Sequence, residues 1–266
     1  MSIFEQWWLP IAELVENRQP LNFFQNLYKE IYMNAIKDDR WLLYLDGLWV
    51  TLKVSFFAIL AGTLLGTVLA VLRLPSVTDY RYRGNHPLKK LGFGVLRFFC
   101  WFAKFYIDLI RGTPLLLQVL IINFGVFGSI RIDKVIIGVI ACALNSAAYV
   151  AEIVRGGIMS VDPGQTEAGR SLGFSGLATM LWIVLPQAAK SALPSLCNEF
   201  IALIKETSIL SYIALTELTK AGDYIRSRTY SAFTPYIISG MLYLLLTLIL
   251  TTLIRKLERR LRASDH

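Results

Sequence analysis

Ser160–Pro186 reads SVDPGQTEAGRSLGFSGLATMLWIVLP, and the way it folds decides how the rest of the chain is arranged. It lies between strongly apolar segments, yet its first half is too polar to cross a bilayer. Asp162 suits a helix N-cap, Pro163 the first helical position, and Gln165 stands where a capping box with Asp162 needs its second partner. Ala168 favours helix, Gly173 is a natural stop, and Phe174 is placed to pack back over the end. The expectation is a short, bounded helix at a membrane surface, followed by an apolar run that re-enters. An ordinary connecting helix fits the same residues.

Composition sets the surroundings. Of 266 residues 55% are hydrophobic and 17% charged, with mean hydropathy +0.52, against about 25% charged in a soluble domain. Much of the surface must therefore face something other than water. The net charge of +8 does not imply nucleic acid, because the cations cluster beside apolar runs rather than among aromatics on one polar face. Cys100, Cys142 and Cys197 are scattered in apolar sequence and read as small hydrophobes, with no disulfide or metal framework. Residues 1–40 mix acids, aromatics and prolines and lack the long apolar core of a cleavable signal peptide.

Loop charge then orients five expected spans. Residues 1–45 form an aromatic N-terminal segment. Leu21–Ala35 has the spacing of an interfacial amphipathic helix, and a partly ordered tail is the alternative. The first span is Gly47–Leu72, in which Gly62 and Gly66 allow another helix to approach closely. Arg73–Arg97 reads as a hydrophilic connection with six cations named against the single acid Asp79, which marks the cytoplasmic side. Leu96–Leu109 is expected along that interface or at a slant, and a span follows Pro114 over Leu115–Phe127. Lys134–Ile153 descends, Leu177–Ile204 ascends with Pro186 and Pro194 inside it, and Tyr236–Ile254 is the last span. A basic tail, residues 255–266, ends the chain in the cytoplasm, with the N-terminus outside.

Polar residues inside spans are costly and mark interiors or wet paths. Asn145, Tyr149 and Glu152 share one helix face. Glu152 pairing with Arg155 as a structural ion pair is the other reading of that face. Asn198 and Glu199 are expected to point inward, and Gln118 joins them as a candidate. No nucleotide-cradling loop, hydrolase elbow or metal-ligand spacing is present, so no catalytic or metal residue is assigned. Any energy must come from a partner or an ion gradient.

Glu167-Ala168-Gly169, three residues, Gly173, nine residues and Ile183-Val184-Leu185-Pro186 resemble the EAA signature of bacterial ABC-importer permeases, with Gly169 where the signature usually has Ala. More narrowly, the chain resembles the polar amino acid permeases of histidine/glutamine type. That likeness is carried by Gly47–Leu52, Arg111–Leu116, Asn145–Ile158 and Leu193–Glu199, and it spans about Asp46 to Arg260. The resemblance implies an all-α integral membrane fold, that of a type I ABC importer permease, with about five transmembrane helices over residues 46–254. It implies a bacterial plasma-membrane location and a short cytoplasmic coupling helix within 160–186. The implied partners are a second permease subunit (the same chain or a relative), two ATPase subunits and an extracytoplasmic amino-acid-binding protein. ATP and Mg would be bound by the ATPases, not by this chain. Asp162, Gln165, Glu167, Ala168, Gly169, Gly173 and Phe174 would form the coupling segment. Gln118, Asn145, Tyr149, Glu152, Asn198 and Glu199 are the path candidates. A gradient-driven transporter or channel without an ATPase is the second reading, and an integral-membrane enzyme the third.

Overall fold

The computed structural model describes residues 3–74 and 87–263, and every regular element among them is helical. The elements are α1 (Ile3–Glu16), α2 (Phe23–Ile31), α3 (Arg40–Leu72), α4 (Pro87–Arg111), α5 (Leu115–Leu120), α6 (Lys134–Met159), α7 (Pro163–Ser171), α8 (Gly176–Thr179), α9 (Leu185–Glu206), α10 (Leu218–Thr229) and α11 (Thr234–Ala263). A π-helical turn, Ile121–Val126, prolongs α5, and another, Met180–Val184, joins α8 to α9.

By length and composition, three described stretches can cross a membrane: Phe23–Leu72, Lys134–Met159 and Thr234–Lys256. Leu91–Arg111 and Leu115–Val126 make a fourth if taken as one broken span, bent by 108°. The break falls at Gly112–Pro114, where proline removes a helix donor. The remaining expected span is helical from Gly176 to Glu206, but Lys190, Glu199 and Lys205 interrupt its apolar run, so it does not qualify on composition.

α6 is the central helix. In its most apolar window 61% is buried, against 6% for α11, which lies at the periphery. The Gly62 and Gly66 step of α3 seats on α6. A Cβ at Gly66 would stand 2.7 Å from the Ala147 carbonyl oxygen, and one at Gly62 would stand 3.1 Å from Ser146 Cβ. Small residues are what permit such backbone approach between membrane helices. Val54, Ala58, Val119, Ala141 and Leu203 fill the core around this contact.

Two ends of the bundle follow. Arg73, capping α3, lies 3.5 Å from Glu152 near the end of α6, and α7 follows α6 at that same end. At the other end Tyr44 donates to the Pro235 carbonyl at 3.4 Å. The N-terminal segment belongs to this second end and is an ordered helical hairpin rather than a loose tail. Asn22 and Gln25 form a reciprocal capping box at the start of α2, and Trp8 stacks on Tyr32 with centroids 4.6 Å apart. Glu30 accepts hydrogen bonds from the hydroxyls of Ser231 and Thr234, each at 2.7 Å, which fixes the hairpin to the α10–α11 turn.

The Arg73–Arg97 connection needs a correction. Helix begins at Pro87, well before Leu96, because Leu91, Val95, Phe98 and Phe102 carry the helical spacing back into the cationic region. The middle of that connection, 75–86, lies outside the described residues.

Candidate coupling surface and polar path

α7 is closed at both ends by its own sequence. The Asp162 carboxylate accepts from the Gly164 backbone N–H at 2.8 Å, and Pro163 takes the first turn. The expected capping box does not form. Gln165 instead accepts a hydrogen bond from Gln187 of α9 at 3.3 Å, because the re-entering helix offers a donor on that side. At the C-terminus Phe174 N–H donates to the Gly169 carbonyl and Gly173 N–H to that of Arg170, both at 3.1 Å. This is a Schellman closure, and Gly173 adopts the positive φ of 87° that it requires.

One face of α7 is seated on the chain itself. Gly169 is its only buried residue, and a Cβ there would meet Ile183 Cδ1 at 2.7 Å and Thr179 Cγ2 at 2.9 Å. The departure from alanine at this position therefore belongs to the seat of α7 on the α8–α9 junction. Asp162, Gln165, Glu167, Ala168, Gly173 and Phe174 are exposed. The Glu167 side chain has no hydrogen bond or ion pair with a described residue. Leu172, the C-cap of the helix, is 79% exposed, so the surface of the knob presents both a carboxylate and an apolar side chain.

The path candidates divide. Buried Gln118 accepts from the Asn145 amide at 3.0 Å and donates to the Ile110 carbonyl and to Thr113 Oγ1 at 2.8 and 2.9 Å. Ser146 donates to Glu199 at 3.0 Å, so polar groups of α5, α6 and α9 meet across the bundle. Tyr149 is half-exposed with the Arg111 guanidinium 5.6 Å over its ring. The other two candidates have different surroundings. Glu152 is held by Arg155 at 2.7 Å and by Arg73 at 3.5 Å, which is the structural ion pair, extended to α3. Asn198 is exposed rather than turned inward, because α9 presents Glu199, one residue on, to α6.

A polar cup of about 530 Å³ opens at the end opposite α7, lined by Ser208, Ser211, Lys220, Asp223 and Tyr236 among others. The Lys220 ammonium beside Asp223 holds its carboxyl down at about 2, with Arg226 and Tyr236 adding to the effect.

The family described as "Binding-protein-dependent transport system inner membrane component" matches residues 91–263, well over half of the chain. The chain belongs to that family. It is therefore an inner-membrane transport component, and its work is passage of solute rather than catalysis. Its relatives include the arginine transport system permease protein ArtQ of Bacillus subtilis, 37% identical over 83% of this chain and 93% of that one. The glutamine transport system permease protein GlnP of Escherichia coli is 33% identical over the same shares. The crystal structure of an amino acid ABC transporter with histidines aligns with TM-score 0.70 and 38% identity over 91% of this chain and 100% of that one. The MetNI methionine ABC transporter in inward-facing form shares the fold at TM-score 0.68 and 16% identity, over 85% and 99%.

Within this transport component, sequence reasoning missed Thr113 and Ser146, which complete the hydrogen bonding of Gln118 and Glu199. Short hydroxyl side chains carry no periodic signal, and only the fold brings them to their partners.

Proposed function

We propose that the chain is the transmembrane subunit of an ATP-driven importer of polar amino acids. Its transport body is residues 46–254, with the N-terminus outside and the C-terminus in the cytoplasm. A second permease chain, the same or a close relative, pairs with it. Two ATPase subunits, which hold ATP and Mg, dock at the α7 end, and a binding protein delivers substrate at the opposite end. The observation that carries this reading is the construction of α7: closed at both ends, seated through Gly169, and presenting exposed Glu167, Leu172 and Phe174. A rigid helix of nine residues, about 14 Å long, moves as a unit when pushed. The push passes through Thr179 and Ile183 to α9, and through α6 to the core. Asp162, Gln165, Ala168 and Gly173 shape that knob.

The amino acid class is supported by the relatives' names and by the polar groups of the bundle. A zwitterion needs donors and acceptors together, and Gln118, Asn145 and Glu199 supply both kinds beside Tyr149. Glu152 acts from the rim of the path, fixing α3 to α6 through Arg73, and Asn198 is exposed on α9.

The test is uptake of labelled glutamine or arginine by proteoliposomes holding this chain with its ATPase and binding protein. Uptake that requires internal ATP supports the assignment. Equal uptake without nucleotide, driven by an ion gradient, replaces it with a gradient-driven carrier.

A further inference from the structure

The strip of α4 that faces the end of α3 is built of two kinds of residue. Phe93, Leu96 and Trp101 give it apolar walls, and Arg97 and Lys104 stand among them about two turns apart. With Arg73 they line an open cleft of about 220 Å³. Arg97 and Lys104 are exposed and make no ion pair or hydrogen bond with a described residue. Arg73 shares the Glu152 carboxylate with Arg155. Three cations, Arg73, Arg97 and Lys104, therefore line a cleft whose lining includes no carboxylate. The other acid close by on α4 is Asp108, one turn beyond Lys104 and not ion-paired with it.

Depth identifies the ligand. Arg73 ends an apolar helix whose last turn is Ala70-Val71-Leu72, so its guanidinium lies where hydrocarbon gives way to headgroups. The lipid side of α4 continues as exposed aromatics, with Trp101 stacked on Phe105 at 5.7 Å and tilted against Phe98 at 6.2 Å. A ligand that fills this cleft must present negative charge at headgroup depth and an apolar tail toward those rings. We propose that the Arg73–Arg97–Lys104 cleft binds the headgroup phosphate of an anionic phospholipid, with an acyl chain laid along the aromatic flank of α4. The lipid would thereby tie α4 to the end of α3, at the same end of the bundle as α7.

The experiment uses the full chain in neutral detergent, titrated with short-chain phosphatidylglycerol, short-chain phosphatidylcholine or inorganic phosphate and read by native mass spectrometry. The expected result is binding of phosphatidylglycerol at least about tenfold tighter than phosphatidylcholine. Each juxtamembrane cation contributes about fivefold to binding an anionic lipid, so Arg97→Ala with Lys104→Ala should weaken binding about 30-fold. Arg255→Ala with Lys256→Ala, which removes two exposed cations from α11, should change it less than twofold. Both altered positions on α4 are exposed and have no ion pair among the described residues, and a circular dichroism spectrum matching the parent chain checks that the fold survives. Unchanged binding in the α4 variant, equal binding of phosphatidylcholine, or displacement of the lipid by an equal concentration of inorganic phosphate would each overturn the proposal. The last outcome would identify a free-anion site instead.

Discussion

A methyl group on Gly169 would stand 2.7 Å from Ile183 Cδ1 and 2.9 Å from Thr179 Cγ2. Two effects of similar size compete there. Alanine gains about 1 kcal/mol of helix propensity over glycine, and overpacking a close contact costs about 1–3 kcal/mol. Ile183 Cδ1 is a chain end and can swing aside, so Gly169→Ala should leave the thermal midpoint within a few degrees of the parent. Gly169→Val adds two branches to a Cβ that already crowds Ile183 and Thr179, and should lower stability by about 2 kcal/mol or more. Thermal unfolding in detergent, with proteolysis around residues 160–176, measures both. The seat of Gly169 was not legible in the sequence, which showed only a departure from a pattern. The capping role of Asp162 and the stop at Gly173 were legible, because both depend on neighbours within a few residues. Glu152 lies between these cases. Its pairing with Arg155 was one of two readings of a single helix face, but Arg73, on another helix, was visible only in the fold.

The same distinction holds for whole elements. The capping box of Asn22 and Gln25 and the aromatics of α1 and α2 can be found in the sequence, but their anchorage cannot. It comes from Glu30 with Ser231 and Thr234, and from Thr229 donating to buried Asn34 at 2.7 Å. Hydrogen bonds to a charged acceptor contribute about 1.5–3 kcal/mol. Glu30→Leu, which removes the acceptor from both hydroxyls, should loosen the hairpin by at least the contribution of one such bond. The check is limited proteolysis, with cleavage between α2 and α3 becoming at least tenfold faster than in the parent while α6 stays protected. Unchanged cleavage would mean that the Thr229–Asn34 bond and the packing of the segment hold the hairpin without Glu30. α4 shows the reverse error. Dense cations made its first turns read as a loop, although the apolar spacing of Leu91, Val95 and Phe98 already ran through them.

At the scale of the molecule, the bundle is polarised. α7, the Arg73–Glu152–Arg155 cluster and the cationic cleft of α4 lie at one end. The hairpin, α10 and the polar cup lie at the other. α6 runs between them, closely packed on α3 through Gly62 and Gly66 and bonded to α5 and α9 by Asn145 and Ser146. Force applied to α7 at one end therefore reaches the polar groups of the bundle through packed helices rather than loops. Glu167 is the residue of α7 best suited to test this, since it is exposed and its side chain makes no hydrogen bond or ion pair with a described residue. Charge reversal there should leave the fold alone and place repulsion at the docking surface, where like-charge contact costs several kcal/mol. The decisive measurement is the number of amino acids imported per ATP hydrolysed by the reconstituted transporter carrying Glu167→Arg. The account predicts that the ratio falls at least about tenfold with the chain present in the membrane at its normal level. An unchanged ratio would contradict the assignment of α7 as the element through which ATP hydrolysis drives transport.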